Sequence, residues 1–326
     1  MIDSIAKVSV ATEVRRPNPF IEFVVRLVRE KPLGTAGAVI VLGFLIAGIF
    51  SELIAPYPLN EIHIIDRLEP PSSNYLLGTD NLGRDMLSQI IYGARVSLII
   101  GFSVVAMQTV VAVLIGLTSG YIGGTFDLVV QRFVDAWNVL PMFIVYLTVI
   151  GMIGSGYLQL ILVMGISGGI GGARGPRMLA FWVKGGGYYE SARALGANTR
   201  QIITRHLLPN VMPMLIVAVT AGIGSVVLME TGLAFLGWGL PGQIPSWGGM
   251  ISGDKRIYME GAPWMVVFPG LVLATTIFGL NVFGDAVRDL LDPRMRGGVG
   301  GKVGRFGGIQ FKAKEKALAR SKKKLH

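Results

Sequence analysis

Several short patterns in this 326-residue chain have residue types that could do chemistry, and each needs a particular neighbour to do it. Gly165-Ile166-Ser167-Gly168-Gly169 places a serine among glycines inside an apolar stretch, the pattern of an intramembrane serine protease. A serine becomes a nucleophile only beside a base. His63, His206 and His326 all lie outside the apolar stretches, and no lysine lies within one. The glycines have a simpler use, because the pairs Gly165/Gly169 and Gly116/Gly120 have the small-xxx-small spacing of close helix contacts. Glu230 is the one acid near the middle of a hydrophobic stretch. A carboxylate in lipid is costly and marks a functional candidate. The Gly- and Pro-rich residues after Glu230 favour the plainer expectation of a carboxylate at a helix end, solvated or capping the next turn.

Other matches fail on context. Gly237-Trp238-Gly239-Leu240-Pro241-Gly242 spells a dinucleotide fingerprint but has no strand–helix unit around it. Gly301-Lys302 looks like the end of a phosphate-cradling loop, yet Arg296 stands where its first glycine belongs and Val303 where its hydroxyl belongs. This chain therefore lacks that kind of nucleotide site, and ATP, if used, is bound by another chain. Asp80-Asn81-Leu82-Gly83 lacks the third ligand position of a calcium loop, so Thr79 and Asp80 are expected to cap a short helix. With no cysteine and three scattered histidines, no metal site and no cofactor is expected in this chain.

The elements that carry these residues follow from composition. The chain is 52% hydrophobic and 15% charged, with a mean hydropathy of +0.58. A soluble domain carries about 25% charged residues, so this composition is that of a membrane protein. The net charge of +10 belongs to one end: residues 294–326 hold 11 Lys and Arg against one acid, and residues 1–293 balance to zero. Such a run is usually solvated, and anionic lipid is its next candidate partner. Nucleic acid is not expected, since no aromatic platform accompanies the charge.

A spanning helix needs about 20 apolar residues. Charge-free windows cover residues 32–51, 96–126, 136–173, 207–229 and 261–284. The third is too long for one crossing, and Gly154-Ser155-Gly156 divides it into two short spans. Residues 32–51 are read as a retained first span, not a cleaved signal. The expected fold is an all-α integral membrane protein with about six transmembrane helices. With the N-terminus on the cytoplasmic side, the inner segments carry 25 basic residues and the outer ones five, so both termini are expected in the cytoplasm. The chain divides into residues 1–31 as an N-terminal cytoplasmic segment, 32–95 as first span and outer loop, 96–293 as the core transmembrane domain and 294–326 as a basic cytoplasmic tail.

Residues 174–210 are more than a connector. Ala192, Ala194, Leu195 and Ala197 favour helix, Gly196 and Pro209 punctuate it, and Arg193, Arg200 and Arg205 make it basic. Such a helix either lies on lipid headgroups or docks a cytoplasmic partner.

The run YYESARALGANTRQIITRHLLPN at residues 188–210 resembles the cytoplasmic signature of binding-protein-dependent ABC importer permeases, through Glu190, Ser191, Ala192, Gly196, Leu208 and Pro209. Residues 76–98, 230–250 and 281–296 resemble further blocks of the same family, in order, over residues 30–296. The likeness is to the C-type permease of dipeptide and oligopeptide transporters. The resemblance implies a coupling helix between spans 4 and 5, in contact with an ATPase through Glu190, Ala192, Arg193, Gly196 and Arg200. It implies a second permease subunit, two ATP-binding subunits that hold ATP and Mg, and an extracytoplasmic substrate-binding protein docking near Asp80, Arg84, Asp85 and Trp247. It places the protein in the inner or plasma membrane of a prokaryote, as half of a translocation pathway for di- or oligopeptides. Oligosaccharides and, less favoured, nickel are the alternative cargoes, and this chain itself is expected not to be an enzyme.

Overall fold

In the computed structural model, residues 19–59, 61–185, 194, 196–252, 255 and 257–291 are described. The order of elements is set by apolar runs interrupted at proline and glycine. Helix α1 covers Pro19–Glu30, α2 Pro32–Ile49 and the short α3 Ser51–Ile54. Helix α4 runs from Met86 to Ile122, α5 from Gly124 to Val139, α6 from Met142 to Ile153, α7 from Tyr157 to Gly172 and α8 from Arg174 to Lys184. The one-turn α9 is Thr199–Gln201 and leads through a π turn at Ile202–Leu207 into α10, Leu208–Phe235. The short α11, Trp247–Met250, precedes α12, Trp264–Leu291. Among the described residues there is no β-strand beyond an isolated Thr79–Asp85 bridge.

Five of these elements, α2, α4, α7 with α8, α10 and α12, are long and apolar enough to cross a membrane, and the bent pair α5–α6 makes a sixth. This is an all-α integral membrane protein. The 84° bend between α5 and α6 sits at Leu140-Pro141. The proline ring pushes the residue before it into extended backbone, and Leu140 has φ −69° and ψ 134°. The break between α6 and α7 falls at Gly154–Gly156, as the sequence suggests.

Span boundaries differ from the charge-free windows. Helix α4 begins at Met86, not residue 96, and carries Arg95 inside it. Arg95 meets Glu52 at 2.6 Å, and Asp85 caps the helix by accepting from the Ser88 backbone at 2.8 Å. The expected cap at Thr79 and Asp80 is not what these residues do. Their side chains hold the preceding loop, as described below. The fourth crossing likewise continues past residue 173 as α8, where Arg177 is neutralised by Asp127 of α5 through two bonds of 2.7 and 2.6 Å. A charge-free window stops at the first charge. A helix stops only when its backbone loses its partners.

The bundle packs through its small residues. Helix α4 is the hub, lying against α7, α8, α10 and α2. Met107 and Val111 of α4 fill the spaces over Gly165 and Gly169, while Ala173 and Arg177 close on Gly116. On α2, a side chain at Gly37 would stand 2.8 Å from the Gly279 carbonyl of α12. Helices in lipid gain little from burying apolar groups in each other, so close approach and dispersion hold them together. The loops before α4 and between α10 and α12 gather at one end. Helix α1, residues 196–207 and the end of α12 lie at the other.

Candidate functional site

At the end that carries the α8–α10 connection, Gly196 has φ +82°, a backbone region that other residues enter only with strain. Nothing lies within 4 Å of where its Cβ would be. The glycine is there for the turn, and its surroundings are open. Asn198 then starts α9 with a reciprocal cap: it accepts from the Gln201 backbone at 2.9 Å, and Gln201 accepts from the Asn198 backbone at 3.0 Å. The π turn follows. Pro209 cannot donate to the carbonyl four residues before it and its ring crowds that carbonyl, which accounts for the widened turn just ahead.

This segment is not a loose loop. Ile202 and Leu207 are fully buried with Leu117 of α4, Ala180 of α8 and Val211 of α10. The Tyr121 hydroxyl meets the Thr199 hydroxyl at 3.3 Å, and the Lys184 ammonium donates to the Tyr121 carbonyl at 2.6 Å. A push on Gly196–Leu207 is therefore delivered to the ends of three helices. Arg200 and Arg205 remain exposed on its outer side. Of the expected contact residues, Gly196 and Arg200 fall on this segment; Glu190, Ala192 and Arg193 lie outside the described residues.

At the opposite end, the described residues between α3 and α4 form a loop closed by Asp80. Its carboxylate accepts from the backbones of Leu82 and Arg84 at 2.8 and 2.9 Å and from the Arg84 guanidinium at 2.8 Å. Thr79 accepts from the Glu69 backbone, and the Trp264 indole donates to the Thr79 carbonyl at 3.0 Å. The Tyr75 hydroxyl donates to Asp66 at 2.9 Å, and burial together with that bond pushes its pKa up to about 12. Burial pushes the Lys255 ammonium down, against Asp80, which favours its charged form.

These contacts engage the residues of the expected docking set. Asp80, Arg84, Asp85 and Trp247 are all buried. Trp247 donates to the Ile90 carbonyl at 2.9 Å, lies 5.2 Å from the Phe44 ring and stands over Gly93. The four residues build the loop from beneath and do not present their side chains to a partner. The loop's exposed residues include Ile64, Leu76 and Ile65, the last at 98%, and Ile257 is exposed on the second loop. Single loop isoleucines carry no signal in the sequence, and only the fold reveals that they stay outside. Exposed apolar clusters outside the bilayer mark contact surfaces.

One further expectation changes. Glu230 is 1% exposed, so it is neither solvated nor at the helix surface. Among the described residues its Oε1 has no hydrogen-bond partner, and the Ser246 hydroxyl lies beside its carboxyl. Ser167 is buried on α7, where Trp137 of α5 donates to its carbonyl at 3.1 Å. Its surroundings are those of a packing position.

A family model described as "binding-protein-dependent transport system inner membrane component" matches residues 112–297. The chain belongs to this family. The dipeptide transport system permease protein DppC of Alkalihalophilus pseudofirmus is 32% identical over 268 residues, 82% of this chain and 88% of that protein. The oligopeptide transport system permease protein OppC of Bacillus subtilis is 31% identical over 268 residues, with the same shares. The glutathione transport system permease protein GsiD of Pectobacterium atrosepticum is 33% identical over 279 residues, 85% of this chain and 92% of that protein. The matched region takes in the last third of α4, the Gly196–Leu207 segment, α8 and α10. The protein is thus a multi-pass ABC-importer permease subunit of the peptide transport family, and its relatives are transport subunits, not enzymes.

Proposed function

We propose that this permease forms half of the translocation pathway of an ATP-driven, binding-protein-dependent importer of di- or oligopeptides. The observation that carries the reading is the seating of Ile202 and Leu207 among α4, α8 and α10. It makes the Gly196–Leu207 segment a lever on the spanning helices. In this reading the segment is cytoplasmic, both termini are cytoplasmic, and the membrane is the inner or plasma membrane of a prokaryote. Two ATPase subunits hold ATP and Mg and grip the segment near Glu190, Ala192, Arg193, Gly196 and Arg200. The arginines suit acidic partner residues through bidentate contacts. A second permease completes the pathway. The substrate-binding protein docks on the opposite end, over the loop that Asp80, Arg84, Asp85 and Trp247 support. Packed helices switch between discrete arrangements, so closure of the ATPases would rock the spans as bodies. The relatives' dipeptide, oligopeptide and glutathione names favour peptides over sugars or nickel.

The test is the Gly196→Asp variant of the reconstituted complex. The turn needs positive φ, so the new side chain disturbs the segment without entering the helical core. The expected outcome is assembled complex that hydrolyses ATP with uptake largely lost. Normal uptake by the variant overturns the coupling role. Uptake measured across a panel of peptides and oligosaccharides tests the cargo.

A further inference from the structure

Helix α1 has an apolar face that no other described residue covers. Around its axis, at about 100° per residue, Glu22, Arg26, Arg29 and Glu30 share one narrow arc and the apolar residues fill the rest. One edge of the apolar arc is used: Leu27, with Phe23 beside it, packs on Ala286 and Leu290 of α12. The remainder is open. Ile21, Val24, Val25 and Val28 are exposed among the described residues.

The position of α1 relative to the bilayer follows from α2. Lys31, with φ −133° and ψ 73°, breaks the helix between them. Helix α2 has 18 residues, which span about 27 Å, close to the thickness of the hydrocarbon core. The α2 helix alone therefore crosses the core, and α1 falls at its edge. Water does not suit four exposed apolar side chains. Hydrocarbon does not suit four charged ones. The headgroup layer accommodates both. A second observation points the same way. Lys31 bonds Asp289 of α12 at 2.5 Å, so α12 ends beside α1, and the chain that follows holds 11 Lys and Arg against one acid in residues 294–326. Apolar insertion and basic charge are delivered at one place, the pairing that anionic bilayer surfaces retain.

We propose that α1 is an interfacial anchor, lying in the headgroup layer with Ile21, Val24, Val25 and Val28 in the acyl boundary, and that the basic segment following α12 in the sequence strengthens this contact on an anionic bilayer. Because α1 is tied to α2 through Lys31 and to α12 through Leu27, its depth sets the height of both helix ends.

The chain has no cysteine, so single Val24→Cys, Val28→Cys and Arg26→Cys variants of the full chain can each carry one fluorophore. In nanodiscs, lipids brominated on the acyl chain should quench the labels at 24 and 28 several-fold more than the label at 26. Equal quenching at all three positions, or none, overturns the anchor. The same labels are then read in the complex purified with its partner chains. Persisting quenching supports the proposal, and its loss at 24 and 28 shows that a protein covers the face and overturns it. Replacing zwitterionic lipid partly by anionic lipid should raise quenching at 24. That increase should vanish when Lys322→Gln, Lys323→Gln and Lys324→Gln are combined, and an unchanged increase overturns the role of the tail.

Discussion

Gly93 and Trp247 make a contact whose energetics change sign with the partner. Gly93 lies inside α4, and a Cβ there would stand 2.7 Å from Trp247 Cδ1. Glycine to alanine within a helix normally stabilises by about 1 kcal/mol. Here overpacking against a fully buried indole should cost about 1–3 kcal/mol, so Gly93→Ala is expected to destabilise. Trp247→Ala removes the ring, its contact with Phe44 and its bond to the Ile90 carbonyl, at a cost of about 3–5 kcal/mol. Trp247→Phe keeps much of the apolar volume and should cost about 1–2 kcal/mol. In the Trp247→Ala background the obstacle is gone, and Gly93→Ala should become neutral or stabilising. The assay is thermal unfolding of the detergent-solubilised chain, followed by size-exclusion of the surviving fraction, for the four members of the cycle. Contacting residues couple and distant ones add. A Gly93→Ala effect of the same sign and size in both backgrounds would refute the placement of Trp247 beneath the loop, and a Trp247→Ala protein of native stability would return Trp247 to the surface.

Three further outcomes are expected. Arg177→Met should destabilise by about 3–5 kcal/mol because it strands the buried Asp127 carboxylate, and combining it with Asp127→Leu should recover most of that loss in the same unfolding assay. Tyr75 has its pKa raised from 10.0 to about 12, so the folded loop favours the neutral phenol; this contribution is complete below pH 10 and is lost as pH rises toward 12, a loss that Tyr75→Phe should not show when melting is compared across that range. Asp85→Ala should cost about 1 kcal/mol by removing the cap of α4, measured again by unfolding, with Asp85→Asn close to native.

Much of the architecture is legible from composition and periodicity. The break at Gly154–Gly156, the role of Gly116, Gly165 and Gly169 as contact points, and the turn at Gly196 all follow from residue type, because a missing Cβ acts locally. The helix ends are not legible. Arg95 bounds one apolar window and Arg177 lies just past another, yet both sit within helices because Glu52 and Asp127 come to them from 43 and 50 residues away. The candidate site divides the same way. Gly196 and Arg200 are marked by their motif, whereas Ile202 and Leu207 gain their meaning only from the three helices that enclose them.

What the sequence alone determined is therefore that apolar helices cross a membrane, where they turn, and which family they resemble, since hydropathy and backbone freedom belong to single residues and their near neighbours. Only the tertiary structure decided that Asp80, Arg84, Asp85, Trp247 and Glu230 are buried and that Ile64, Ile65 and Ile257 are not. Burial is a property of what distant chain segments place around a side chain, and no pattern of types along the chain encodes it.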